Sequence, residues 1–452
     1  MKHLFLVRHA KSSWADATLS DHQRPLNSRG ESQLGPLGRA LVRGGAFGGT
    51  IHASDAVRAQ QTLAGVLPEG FPENRVHITP ELYTFDYRRL LHWLTALDDR
   101  EETVTVIGHN PALLELAQYL LKHPPANLPT AGFVHIRLPD KPWHKVAAGK
   151  GKGRLQAFLT PREFSYQQFA RKQKKRARTT GDEPGRDIPE ALSHQLQRLR
   201  ELEPGVKAGL DDEFLHQFRI AIRRSRAIAE SVEEVTGDKS LKQSIKQLKR
   251  HARATSRLRD LHVFLQELPV LCDHNNELQT ALGTWAETEA DQEHHALVKR
   301  LESKGYRDAM HRWSNLVHSR QFRKLAGRLT PKDIRKAVGS RLKEFNWRTA
   351  ELLQNSPDED IHRLRKLLKR IRYLMELDAK GWKQPLKVLK QRQELYGRFQ
   401  DLHVQIELVK AFRTRAPETL PGAVDGLKER LEQQKADARR QILALGGLDG
   451  AP

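Results

Sequence analysis

What the chain lacks narrows its reading first. It has one cysteine, Cys272, among 452 residues. No intrachain disulfide can form, a Cys-ligated zinc site is excluded, and a reducing compartment is expected. Long apolar runs are missing too. The opening "LFLV" is far too short for the core of a signal peptide, and no later stretch approaches the ~20 residues that a spanning helix requires. A soluble, cytoplasmic protein with no membrane partner is expected. Acid is scarce against base: 55 Asp+Glu face 77 Lys+Arg, for a net charge of +22 and a pI near 10.0. An excess of that size calls for a polyanionic partner such as nucleic acid, an acidic membrane surface or polyphosphate. With 38% hydrophobic and 29% charged residues, the chain reads as folded helices with wide solvated faces, not as a disordered polyelectrolyte.

The two halves follow different patterns. Residues 1–165 alternate strand-like runs ("HLFLVRH", "TIHASDA", "VTVIGHN", "GFVHIRL") with helix-like pieces ("SQLGPLGRALVRGG", "AVRAQQTLAGVL", "PALLELAQYLL"). That alternation predicts an α/β sandwich around a largely parallel sheet, with functional groups where strands give way to loops. Residues 166–189 are nearly free of apolar side chains and carry a basic run followed by Gly and Pro, which reads as an exposed linker, helical at its start. Residues 190–446 keep a 3.6-residue periodicity and read as all-helical. Residues 1–165 carry 20 basic and 15 acidic side chains, 166–187 carry 7 and 3, and the remainder 50 and 37. The helical half therefore holds most of the surplus.

In the first half, three junctions end in chemistry suited to phosphate: "RHAKSSW" with Arg8 and His9, "SDAVRAQQT" with Arg58, and "GHNP" with His109. Each alone is weak, since a histidine in a turn is usually a solvated or hydrogen-bonded side chain. Together with "DHQRPLNSRG" (Asp21 to Gly30) and "PELY" (Pro80 to Tyr83), and in this order, they resemble the histidine phosphatase superfamily, specifically its small SixA-like phosphohistidine phosphatases. The resemblance spans residues 1–165 and implies a phosphoglycerate-mutase-like α/β sandwich. Arginine forks can grip phosphate oxygens bidentately, and neighbouring arginines keep a histidine neutral and nucleophilic. By resemblance, His9 takes the phosphoryl group, Arg8 and Arg58 hold its oxygens, and His109 faces it as a further donor. Glu81, the one carboxylate at a family-like position, is the candidate leaving-group acid and ranks below the other four.

In the second half, "HQFRIAIRRSR" (His216 to Arg226) recurs as "HRLRKLLKRIR" (His362 to Arg372), 146 residues later, and "RDLHVFL" recurs as "QDLHVQI" with an offset of 141. Near-equal offsets of two separate motifs indicate an internal duplication, 190–325 and 330–446, with two helical bundles on one plan. At 100° per residue, His216, Arg219, Arg223 and Arg226 fall within about 80° of arc. Opposite them lie Phe218, Ala221, Ile222 and Ala229. His362, Arg365, Lys369 and Arg372 form the equivalent stripe, and Arg224 and Arg370 occupy the next position in each copy. Most charge runs are simply solvated faces, but those interleave acids at i+4 because like charges repel. Neither stripe contains one.

This pattern resembles the CHAD domain, a helical module named for its histidines. The resemblance implies two four-helix bundles around a basic channel that binds inorganic polyphosphate. Lys246, Lys249, Arg253 and Arg257 in the first copy, and Lys387, Lys390 and Arg398 in the second, would extend the channel. The acid-richer segment 274–295 reads as an outer helix. Aromatics and hydroxyls are nearly absent from the stripes, apart from Ser225 and Tyr373, which disfavours nucleic acid. Cations around His216 and His362 disfavour a metal, and no cofactor is expected. The whole reads as a phosphohistidine-type phosphatase coupled to a polyphosphate-binding module, acting on a phosphohistidine-bearing protein or on polyphosphate itself. The alternative is a polyphosphate- or nucleic-acid-binding protein with an idle phosphatase domain.

Overall fold

The computed structural model describes residues 1–173, 187–273, 275–379, 381–415 and 420–448. Most of the expected 166–189 linker, residues 174–186, lies outside the described residues. The chain divides into two compact units, one built mainly from Met1–Ala177 and the other mainly from Leu215–Pro452.

The first unit is a six-stranded mixed sheet between two layers of helices. Its strands are β1 (Lys2–Arg8), β2 (Thr50–Ala53), β3 (Val76–Ile78), β4 (Thr103–Gly108), β5 (Phe133–Leu138) and β6 (Arg154–Leu159), in the order β3-β2-β4-β1-β5-β6. The first four in that order pair in parallel, whereas β5 pairs antiparallel with both β1 and β6, so the sheet is largely parallel as expected but mixed, with β5 as its reversed strand. Strand β1 shows how the apolar run is used. Leu4 and Leu6 join one core cluster, with Leu90, Leu113 and Trp143, while Phe5 and Val7 join the other, with Leu37, Leu41 and Leu63. Alternate side chains of a strand point to opposite faces, so a strand covered on both sides must be apolar throughout.

Helices α1 (Ser28–Gly44) and α2 (Val57–Val66) cover one face, and α3 (Tyr87–Thr95), α4 (Ala112–Leu120) and α5 (Trp143–Ala147) the other. Helix α1 is capped by the Asn27 side chain, which accepts from the Gly30 amide at 2.9 Å. A Cβ on Gly30 would meet the Lys11 carbonyl at 2.2 Å, so only glycine lets the helix start so close to the loop after β1. Short helices α6 (Pro161–Phe164) and α7 (Tyr166–Gln173) follow β6.

The helices that follow β1 and β4 leave on opposite faces although the two strands are neighbours. Such a switch point opens a crevice at the carboxyl ends of the strands. Register places Arg8 beside Gly108, and Ala53 beside Ile107. His9, Ser54 and His109 therefore emerge side by side.

Described by itself, the second unit is helical. It contains α8 (Asp187–Ala208) and α9 (Asp212–Thr236), the stretch that joins them, Pro204–Phe214, being assigned to the first unit, and α10 (Lys242–Ala254), α11 (Ser256–Leu271), α12 (Asn276–Leu301), α13 (Lys304–His318) and α14 (Arg320–Ala326). Then come α15 (Pro331–Ala350), α16 (Asp358–Met375), α17 (Lys383–Arg413) and α18 (Pro421–Leu445). The two "HxxR" segments fall within α9 and α16. Phe218, Ala221, Ile222 and Ala229, the apolar side expected of the first, are buried; of the corresponding side of the second, Leu364, Leu368, Ile371 and Met375 are buried and Leu367 is half-buried. Helix α16 opens with Asp358, Glu359 and Asp360 and ends with Arg372, charges placed as the helix dipole favours. The acid-rich segment 274–295 lies largely on α12. No helix among the described residues is long and apolar enough to cross a membrane.

Candidate active site and cation basin

The first unit gathers four of its five expected residues at the carboxyl end of the sheet. His9, 7% exposed, follows β1, and its Nδ1 lies 2.7 Å from the Ala10 carbonyl. A carbonyl only accepts, so Nδ1 carries the proton and Nε2 keeps its lone pair. The Nε of Arg58, itself 3% exposed, donates to that Nε2 at 3.2 Å. Arg58 reaches two further partners through Nη2, the Asp21 carboxylate at 2.7 Å and Nδ1 of His109 at 3.2 Å, and its Nη1 donates to the Asp21 carbonyl. Because a guanidinium has no lone pair to offer, Nδ1 of His109 accepts. Its Nε2–H then donates to the Ser54 hydroxyl at 2.8 Å. Both tautomers are fixed by their neighbours.

Burial, with help from Arg58 and Arg8, drives the His9 pKa down to about 3. Burial does the same for His109, also to about 3, assisted by His9 and Arg58. The two rings lie 5.1 Å apart, centroid to centroid. Arg8 donates from Nη1 to the Leu128 carbonyl at 3.0 Å, while its buried Nε has no partner among the described residues. The Thr62 hydroxyl accepts from the Ala10 amide at 3.0 Å and donates to the Arg58 carbonyl at 2.7 Å, tying the first turn of α2 to the loop after β1.

Glu81 stands apart. It is exposed in the short turn Pro80–Leu82, and no hydrogen bond among the described residues joins it to the cluster. The carboxylate that is present is Asp21, the first residue of "DHQRPLNSRG", whose role the sequence alone does not reveal. It accepts from Arg58, from Arg24 at 3.1 Å and from the Tyr83 hydroxyl at 2.9 Å. These bonds outweigh its desolvation and hold its pKa below the usual value, so it is ionised. Ser54 in "SDAVRAQQT" and Tyr83 in "PELY" are likewise site members, and only the fold shows what they touch.

In the second unit the stripes of α9 and α16 face one another. The Arg223 charge is felt by Arg365 and Lys369, and it feels Arg372 in turn. Desolvation, reinforced by Arg365, Arg223 and Arg372, lowers the Lys369 pKa to about 7. Desolvation and Arg223 lower Arg219 to about 10, and Arg219 donates to the Thr255 hydroxyl at 2.9 Å. Burial beside His403 lowers His362. His216 occupies the equivalent place at the start of the α9 stripe.

Two acids unforeseen as site members lie in this basin: Asp260 and Asp401, the aspartates of "RDLHV" and "QDLHV". Desolvation, and for Asp260 the charge of Asp401, raises their pKa values, while Arg219 pulls down on one and Arg365 and Lys369 on the other. Their repetition in the sequence was the available signal.

Other expected members are held elsewhere. Arg370 is committed to Glu230 at 3.1 Å and Glu234 at 2.7 Å, both on α9. Arg226 lies 3.4 Å from Glu230, Arg372 lies 3.2 Å from Glu376 and Arg257 lies 3.6 Å from Glu289. The stripes are thus acid-free along each helix but not in space. Arg224 is exposed. Lys246, Lys249 and Arg253 stand exposed on α10, and Lys387, Lys390 and Arg398 on α17. None of the charge couplings between α9 and α16 reaches them.

These features agree with comparisons to known proteins. Residues 4–90 match the family model of the histidine phosphatase superfamily, branch 1, and residues 190–410 match that of the CHAD domain. The chain therefore joins a phosphatase domain of the histidine phosphatase superfamily to a CHAD domain. An uncharacterized chloroplastic protein of Arabidopsis thaliana is 29% identical over 171 residues, 35% of this chain and 78% of that one. Among solved structures, SixA from Nakamurella multipartitia is 25% identical, with a TM-score of 0.30, covering 35% of this chain and 96% of its own. The CHAD domain from Ricinus communis is 24% identical, with a TM-score of 0.48, covering 60% of this chain and 95% of its own.

Proposed function

We propose that the first unit hydrolyses phosphoramidates, phosphohistidine above all, through a phosphohistidine formed on His9, and that the second binds inorganic polyphosphate in the α9–α16 basin. The observation that carries the first part is the bond from Nδ1 of His9 to the Ala10 carbonyl. It leaves Nε2 as the nucleophile, and the lowered pKa keeps that nitrogen unprotonated at neutral pH. Nε2 attacks phosphorus, the bond from phosphorus to the leaving nitrogen breaks, and that nitrogen takes its proton from water. A second water then attacks the phosphohistidine, the P–N bond breaks, and phosphate leaves with neutral imidazole restored. Arg58 and Arg8 hold the charge on the equatorial oxygens. A leaving imidazole protonates readily, which suits a cluster whose carboxylate, Asp21, is ionised and tied to Arg58.

The basin reading is supported by cations crowded into a poorly solvated space, where each lowers its neighbours' pKa. A polyanion relieves that repulsion along its whole length. Covalent linkage to the phosphatase raises the local concentration of phosphorylated material held there.

The test is acid- and base-quenched reaction of the full chain with a phosphohistidine peptide, long-chain polyphosphate and nucleotides. An acid-labile, base-stable phosphoenzyme mapping to His9 is expected, fastest with the phosphohistidine peptide. Undiminished turnover in His9→Ala would overturn the mechanism. Faster turnover of polyphosphate would reassign the substrate.

A further inference from the structure

A third group of cations lies outside both sites. Between α10, α12 and α13 is a cleft of about 490 Å³, lined by Arg250, His251, Lys299, Arg300, Tyr306 and Arg312 among others, with no carboxylate among its described lining residues. The plain reading of Lys299 and Arg300 is that they neutralise the C-terminal end of the α12 dipole. That reading leaves Arg250, from α10, and Arg312, from α13, unexplained. None of the four cations forms an ion pair among the described residues, in a unit where acids engage Arg226, Arg257, Arg341, Arg370 and Arg372.

His251 is the second, independent observation. It is 8% exposed and lines the cleft, and among the described residues neither ring nitrogen has a hydrogen-bond partner. A buried polar group left unsatisfied forfeits its hydration with nothing in return. Burial, with Arg300 and Arg250 nearby, keeps the ring neutral, so it offers one N–H and needs an acceptor. Tyr306 does not supply it. That ring packs edge-on at 5.0 Å, and its hydroxyl bonds Glu203 at 3.1 Å. The N-terminus of α13, capped by Ser303, adds the positive end of a 15-residue helix.

We propose that this cleft is a second anion site, separate from the α9–α16 basin, which takes a compact pyrophosphoryl group: a short inorganic polyphosphate or the phosphate tail of a nucleotide. His251 donates one hydrogen bond to a phosphate oxygen, and Arg250, Arg300 and Arg312 supply the countercharge. Long-chain polyphosphate spreads over many cations, whereas this cleft is sized for a few phosphates.

The test uses the full chain with the basin reversed by Arg223→Glu and Lys369→Glu, titrated calorimetrically with inorganic tripolyphosphate and with ATP, while imidazole NMR follows His251. One tripolyphosphate should bind per chain and shift the His251 resonances saturably with the calorimetric affinity. Arg250→Gln with Arg300→Gln should weaken that binding about tenfold or more, since charge-assisted hydrogen bonds are lost. Arg250 is well exposed, so Arg250→Gln alone serves as a folded variant and should weaken binding in the same direction. ATP binding as tightly as tripolyphosphate assigns the site to any pyrophosphoryl tail; ATP failing to bind assigns it to inorganic chains. A silent His251, or binding unchanged by the cleft substitutions, overturns the proposal and leaves the basin reading untouched. Retained binding in the basin variant that the cleft substitutions then remove supports the cleft, whatever the fate of the basin.

Discussion

Arg58 caps the lone pair of His9: its Nε lies 3.2 Å from Nε2, while its Nη2 is anchored on Asp21 at 2.7 Å. The arginine that is proposed to hold the phosphoryl group is thus aimed by a carboxylate that stands outside the histidine pair. In the mechanism proposed above, a phosphoryl group at Nε2 would replace one contact of Arg58 and leave the anchor in place.

Substitution should therefore rank these residues. Arg58→Ala should lower kcat/KM by about 10²-fold or more, as for loss of a transition-state donor. Glu81→Gln should change it little, because Glu81 is exposed and unconnected to the cluster. A larger loss in Glu81→Gln would make Glu81 the acid and reverse the ranking.

Asp21→Asn should behave as a positioning defect. The side chain keeps its shape but loses the charge that fixes Arg58, so turnover should fall by roughly tenfold through a charge-assisted bond reduced to a neutral one. Tyr83→Phe removes a neutral hydroxyl from the same carboxylate and should cost less. Phosphoenzyme trapping separates the causes. If Arg58 positioning matters, the rate of His9 phosphorylation falls in Asp21→Asn while the labelled residue stays His9.

The first unit should lose stability in mild acid. His9 and His109 have folded pKa values of about 3, against about 6.5 in an unfolded chain. Between those values the unfolded chain binds more protons, so stability rises with pH there and falls as pH drops from 6.5 toward 3. The slope approaches about 1.4 kcal/mol per pH unit for each histidine. Urea midpoints for this unit's transition at pH 7 and pH 4.5 should differ accordingly, and His109→Gln should flatten the dependence. An unchanged slope would mean that His109 is not held neutral by the fold.

Polyphosphate binding should take up a proton at Lys369. Its pKa in the free protein is about 7, and an anion beside it raises that value. Affinity is then fully present below pH 7 and declines as pH rises through 7 and beyond. Calorimetry in buffers of different ionisation heat should reveal the uptake, and Lys369→Arg should abolish it, because a guanidinium stays protonated. Reversal of Arg223 to Glu, or of Lys369 to Glu, should weaken long-chain binding severely and reduce its salt dependence. If only one reversal has an effect, the anion lies along a single helix.

Arg370 should prove structural. It bridges Glu230 and Glu234 across α9 and α16, and Arg341 of α15 shares Glu234 at 2.8 Å. Arg370→Ala leaves two half-buried carboxylates short of a partner and should lower stability by about 1–3 kcal/mol, with polyphosphate affinity nearly unchanged. A large loss of affinity with intact stability would return Arg370 to the binding surface.

The sequence by itself determined the classes of the two halves and the residues at each strand end. Continuous apolar runs such as "LFLV" and 3.6-period runs such as "HRLRKLLKRIR" are local, and burial of their apolar side chains follows from the pattern. Edge elements were less legible: β3 is three residues long and β6 is half exposed, so neither carries the apolar signature of a central strand, and α3 went unseen. Only tertiary structure decided partnership. Asp21 is separated from Arg58 by 37 residues, and Glu230 from Arg370 by 140, yet each pair is in direct contact. Helical periodicity shows which cations share a stripe on one helix. It cannot show which carboxylate on another helix comes within 4 Å, because packing sets that distance and Coulomb energy in a poorly solvated interior depends on it. Arg223 and Arg370 therefore look alike in sequence, and the fold leaves one facing cations and the other held between two acids.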